Sequence, residues 1–192
     1  VGTINTLIGG EAGDALTTGD SNVAVGYVAL SADTQGDRSV AIGAGAFKTQ
    51  NFTTATSAYN IGIGYDAGAS VTTGLRNTLM GGLAGDALTD ADYNVAIGYG
   101  AMRTPTGMTG NVAIGWNALT AMSGSGNKFN TAVGYGSGDS VTTADSLTLI
   151  GAQTGQAITT GNDNTAVGYL ALNQVETSGS NTAVGHFAGY HT

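Results

Sequence analysis

The chain has no cysteine. A disulfide frame and a thiolate metal site are therefore both excluded, and cysteine usage says nothing about redox compartment. It has one proline among 192 residues, and its 33 glycines follow no Gly-X-Y period, which excludes collagen. Charged residues make up 9%, too few for a disordered, self-repelling linker beside a 41% hydrophobic share. Five Lys and Arg against thirteen Asp and Glu leave a net charge of −8. That balance opposes nucleic acid and anionic membrane surfaces, which both require a basic face. No apolar run approaches the ~18 residues of a membrane span, so no membrane insertion is expected. The start at Val1 lacks the basic-then-hydrophobic pattern of a secretion signal, as expected of a segment cut from something longer.

What the chain has instead is a module. Asn164-Thr165-Ala166-Val167-Gly168-Tyr169 returns as Asn22-Val23-Ala24-Val25-Gly26-Tyr27, Asn94-Val95-Ala96-Ile97-Gly98-Tyr99 and Asn130-Thr131-Ala132-Val133-Gly134-Tyr135. Counting the Asn as position one, the position-five glycines are Gly9, Gly26, Gly43, Gly64, Gly81, Gly98, Gly115, Gly134, Gly151, Gly168 and Gly185. Eight of the ten gaps are 17 residues; the third is 21 and the seventh 19. A fixed period filling a chain marks a solenoid, in which each copy adds a rung and rests on its neighbours. The whole of 1–192 therefore reads as one repeat domain. A slower period of four coils lies over it: Ser70-Val71-Thr72-Thr73 returns as Ser140-Val141-Thr142-Thr143, which divides the chain at 5–76, 77–146 and a truncated 147–192.

Position two is β-branched in all eleven copies, and position four is aliphatic or Met. Residues two apart on a strand share a face, so these positions line one side of a short strand. Position three, on the other side, holds only Ala, Leu or Gly. Strands apolar on both sides belong to parallel sheets covered on both faces. The expectation is that valine and isoleucine look into the coil, while the small Ala/Leu column is shielded by sister chains, three being favoured. Position-five glycine answers a turn through positive φ. Positions nine and twelve alternate between small and large in most copies, Leu119 with Met122 and Leu172 with Val175 being exceptions, as if one interior slot were filled from either place. The longer coils, Lys48 to Tyr59 and Thr120 to Phe129, are expected to bulge.

The module Asn-Thr/Val-Ala-Val/Ile-Gly-x-x-Ala resembles the head repeats of trimeric autotransporter adhesins of the YadA type. It is more similar still to 17-residue repeats of phage tail-fibre and related adhesin proteins. The resemblance covers essentially the full chain. It implies a left-handed parallel β-roll, a homotrimer wound about one axis, attachment as the role, and an extracellular, cell-surface or virion location. The YadA-type coil is shorter than 17 residues, so the β-roll carries over more safely than its cross-section.

Other motifs weigh less. Gly62-Ile63-Gly64-Tyr65-Asp66-Ala67 fits a dinucleotide fingerprint, but that motif must open a helix inside a βαβ unit, and its glycine is a solenoid corner in the other copies. Gly9-Gly10-Glu11-Ala12-Gly13-Asp14 is similar to calcium-binding roll repeats, which require a nine-residue period with stacked Asp. No cofactor is expected, and Ca²⁺ is the one ion worth weighing. The two histidines, His186 and His191, lie in the last seven residues without a suitable Ser or Cys beside them, so no catalytic residue is assigned and no enzyme expected. Threonine at position two in six copies would suit an ice-binding array if it faced outward. The candidate receptor contacts are Phe52, Tyr59, Trp116 and Phe129, rigid aromatics in or near the longer coils that suit a glycan or protein receptor. The reading is a trimeric all-β solenoid of a tail fibre or adhesin. A self-assembling extracellular filament is the alternative, and an ice-binding solenoid comes third.

Overall fold

A computed structural model describes residues 2–190. Its core is an eleven-stranded parallel sheet, one three-residue strand per module, in chain order from Thr6–Ile8 to Thr182–Val184. The register is the one the module predicts. Val112 lies beside Val95 and Thr131, Ala113 beside Ala96 and Ala132, and Ile114 beside Ile97 and Val133. Each coil is therefore one rung, and like positions form columns along the fibre axis. Backbone groups bond to the coil above or below, as Gly98 N–H does to the Met80 carbonyl at 2.7 Å. At ~4.8 Å per rung, eleven rungs make a rod about 50 Å long.

Four columns turn the chain through positive φ in every rung: the residue before the Asn (column zero) and columns five, seven and nine. Column five stands at φ 128 to 142, which glycine alone adopts readily. A Cβ on Gly98 would also lie 2.5 Å from the Gly115 carbonyl oxygen one rung on. Columns zero, seven and nine sit mostly near φ 50 to 60, where Tyr59, Asp66 and Phe47 are tolerated as single left-handed residues.

The assignment of inside and outside is reversed from the expectation. Column three is the interior: Ala24, Ala41, Leu79, Ala96, Ala113, Ala132, Leu149 and Ala166 are fully buried. Columns two and four face out, and none of their residues is buried. The alanine side needs no sister chain; it is covered by the coil's own return. Column eight (Ala29, Ala46, Ala67, Ala84) and residues of columns nine and twelve close over it. The slot shared by nine and twelve holds on some rungs only, since Leu119 with Met122 and Leu172 with Val175 are all buried. Leu88 fills its rung where Gly85 stands at nine, and Met102 fills the next. Phe47 reaches into the following rung, where Gly62 and Gly68 leave room: a Cβ on either would lie 2.6 or 2.4 Å from its ring.

Column one is a buried hydrogen-bond ladder. Asn94 Oδ1 accepts from Asn111 N–H at 3.0 Å, and Asn94 Nδ2 donates to the Met108 carbonyl at 2.8 Å. The same two bonds recur at Asn22, Asn77 is held by Asn60, and Asn130 holds Leu147. Each side chain thus satisfies backbone groups that three-residue strands leave unpaired. Where Ser39 breaks the column, Gln50 bridges Asp33, Ser39 and Asn60 in a fully buried network.

The two longer coils add short second sheets, Gly36–Asp37 with Thr56–Ser57 and Gly107–Thr109 with Ser125–Asn127. Their added residues project at 53–55 and 123–127, while Phe52 and Met122 turn inward.

Candidate interaction face

The outer side of the eleven-stranded sheet is the candidate interaction face. Columns two and four give it a β-branched and aliphatic surface from Thr6 and Ile8 to Thr182 and Val184, with Ile42, Met80 and Ile150 each more than a third exposed. From column two to column six is about 13 Å at ~3.3 Å per residue, so the strip covers roughly 700 Å². That exceeds the ~300–600 Å² of the largest apolar patch on a typical monomer.

Two columns border the strip. Column six carries Tyr27, Tyr65, Tyr99, Tyr135 and Tyr169 on the even rungs, all 45–63% exposed. On odd rungs it carries Gly10, Ala44, Gly82, Trp116, Ala152 and His186. Trp116 stacks on Tyr135, ring centroids 4.7 Å apart and planes at 10°. Since that spacing is one rung, these rings pile up along the axis. The last rings, Tyr169 and His186, stack at 5.5 Å. Column zero carries Arg38, Tyr59, Arg76, Tyr93, Gly110 and Phe129 on rungs three to eight. The Arg38 guanidinium lies 5.6 Å from the Tyr59 ring and that of Arg76 5.3 Å from Tyr93, and Arg76 donates to the Tyr93 hydroxyl at 2.8 Å. Among the described residues neither arginine has a carboxylate within ion-pair distance; Lys48 and Arg103 pair with Asp66 and Asp86 instead.

The four aromatics singled out from the sequence do not form one site. Trp116 belongs to column six, Tyr59 and Phe129 to column zero, at 43%, 51% and 62% exposure. Phe52 is buried, its N–H bonded to Asp33 Oδ1 at 3.0 Å, and offers no ring face to a receptor. The even-rung tyrosines were legible as a column of aromatics, but their alternation with small residues appears only when the copies are numbered as rungs.

Several acids serve the turns. Asp20, Asp37 and Asp92 accept backbone N–H groups one rung away, Thr3, Asp20 and Leu75 respectively. Among the described residues no cluster of three His, Asp or Glu is placed to hold a metal ion. Asp86 has one carboxylate oxygen buried without a hydrogen-bond partner, and burial pushes its pKa up against the weaker opposing pull of Arg103. Of the two histidines, His191 lies outside the described residues. Among the described residues no helix is long and apolar enough to cross a membrane. No family model, no curated protein and no solved structure matches the chain.

Proposed function

We propose that this chain is a structural and adhesive segment of an extracellular fibre, of the phage tail-fibre or bacterial surface-adhesin kind, built as a homotrimer of left-handed β-rolls. The observation that carries the reading is the outward strip along eleven rungs, aliphatic or Met throughout column four and Val, Ile or Thr in column two, larger than the apolar patch a lone chain usually leaves in water. Its ~700 Å² is near the ~800 Å² that each partner contributes to a standard interface.

Geometry supports the number three. From column zero to column six the face is at most about 20 Å wide. Three such faces set edge to edge enclose a triangle whose sides lie about 6 Å from its centre. Facing sheets pack ~10 Å apart, so outward side chains fill about 5 Å each and would close that space. Four faces would stand about 10 Å from the centre and leave it hollow. The rod then spaces and stiffens, and whatever it recognises, a cell-surface glycan or a protein, meets the projecting residues near 53–55 and 123–127 or the exposed rings.

Sedimentation velocity at several concentrations tests this. A single three-chain species is expected. Open-ended polymers would favour a self-assembling filament, and a lone chain at all concentrations would sink the fibre reading.

One observation favours a second reading. Column two faces outward, and Thr131, Thr148, Thr165 and Thr182 are successive neighbours in it. A hydroxyl-and-methyl row at ~4.8 Å steps is the array an ice-binding surface needs. A monomer that inhibits ice recrystallisation, and loses that effect on Thr148→Tyr, would establish it in place of the fibre.

A further inference from the structure

We infer that the strip is covered by a second copy of this chain lying parallel and at the same level, with column six of one chain against column zero of the next. The inference rests on the fibre reading above but fixes what that reading leaves open, namely which residues meet.

The two border columns are complementary in size on rungs three, five and seven. On rung three column six holds Ala44 and column zero Arg38; on rung five they hold Gly82 and Arg76. On rung seven the sizes exchange, Trp116 against Gly110. Within one chain these pairs sit at opposite edges of the face, with the three-residue strand and a turn on either side of it between them, too far to touch. The match has a packing consequence only if the edges belong to different chains at one height. An antiparallel or shifted arrangement would set the odd-rung small residues against other rungs and lose it.

The chemistry agrees with the sizes. Gly82 lies between Tyr65 and Tyr99, two rungs or about 9.6 Å apart. A flat group between two rings at van der Waals contact needs about 7–8 Å, and Tyr99 leans into the gap, its Cδ2 3.4 Å from where a Gly82 Cβ would stand. A guanidinium is flat, cationic and weakly hydrated, and it stacks well on tyrosine. Arg38 and Arg76 also stand two rungs apart, the period of the slots at Ala44 and Gly82, and neither is committed to a carboxylate. On rungs four, six and eight both columns carry rings, Tyr59 with Tyr65 for instance, which pair across the seam.

The chain lacks cysteine, so cross-linking reports the contact cleanly. In the double variant Arg76→Cys/Gly82→Cys no bond can close within one chain, because disulfide Cα atoms lie within about 7 Å. Mild oxidation is expected to give covalent trimers on a denaturing non-reducing gel, while each single variant stays uncross-linked. Single variants that cross-link as well as the double would mean that like columns meet, and would overturn the pairing. An oligomer in which no variant cross-links would overturn it too. Covalent dimers alone would keep the pairing and sink the three-chain reading instead. As a second measurement, Gly82→Leu should weaken assembly at least tenfold by filling the slot, and Arg76→Gly in the same chain should restore most of it. A double variant assembling no better than Gly82→Leu alone would also refute the proposal.

Discussion

Replacing Gly62 with alanine should destabilise the protein, and replacing Phe47 with leucine in the same chain should undo the damage. Column three holds Ala or Leu in ten of its eleven copies and Gly only at Gly62. The reason is the Phe47 ring, fully buried and aimed at the next rung. An added methyl at 62 would stand 2.6, 2.9 and 3.0 Å from Phe47 Cε2, Cδ2 and Cζ. The ring cannot retreat, since Gly68 on its other side is as tight, a Cβ there meeting Cε1 at 2.4 Å. Overpacking of this kind costs about 1–3 kcal/mol. Phe47→Leu alone leaves a void and costs about 1–2 kcal/mol, below the ~3–5 of a full truncation to alanine. The double variant recreates what Leu30 and Ala41, or Leu119 and Ala132, already do on neighbouring rungs. It should lie within about 1 kcal/mol of the parent, a favourable coupling of about 2 kcal/mol. Urea denaturation of the four proteins at one protomer concentration, followed by circular dichroism, measures the cycle. Gly62→Ala as stable as the parent, or a double variant equal to the sum of the singles, would refute the packing described for this slot.

Three further outcomes are expected. Asn94→Ala should cost about 2–4 kcal/mol in the same assay, because it strands the Asn111 N–H and the Met108 carbonyl in the interior, each at about 1–3 kcal/mol; a loss under 0.5 kcal/mol would mean that water replaces the ladder. Gly98→Ala should be worse than an ordinary glycine substitution, about 3 kcal/mol or more, since it meets both φ +129 and a carbonyl oxygen at 2.5 Å. Asp86→Asn tests the raised carboxyl. A folded-state pKa above the unfolded one means that the charged form is disfavoured on folding, so Asp86 lowers stability as pH rises through that interval. The variant should therefore melt higher than the parent at neutral pH, with the difference vanishing below the ordinary carboxyl value of 3.8. A melting difference independent of pH would assign the effect to shape instead.

Much of this molecule was legible in one dimension. Seventeen-residue spacing of a glycine after a triplet that opens on a β-branched residue is enough to place every strand of the eleven-stranded sheet, because each rung repeats the same local requirements, but not the short second sheets of the longer coils. The column-five glycines followed from φ, and the alternate filling of positions nine and twelve followed from volume on the rungs where Gly faces an aliphatic residue, but not where Leu119 and Met122 are both buried. The candidate site was less legible. Trp116 stands out in the sequence as a rigid aromatic near a longer coil, but its partner Tyr135 lies one lap away, and nothing local to Phe52 reveals that its loop folds back onto Asp33.

The choice of inside and outside was made only by the tertiary structure. Both faces of the strand are apolar, so alternation identifies two columns without ranking them. Hydrophobicity would place valine and isoleucine within and leave alanine for a neighbour. A lap of 17 residues closes on a narrow interior, however, and that interior is filled from its corners by Leu30, Phe47, Leu88 and Met102. Only a small side chain, or a leucine facing a glycine as Leu79 faces Gly85, fits beneath the strand itself. The larger β-branched residues are left outside by volume, and it is their exposure, invisible to periodicity, that gives the rod its apolar outer face.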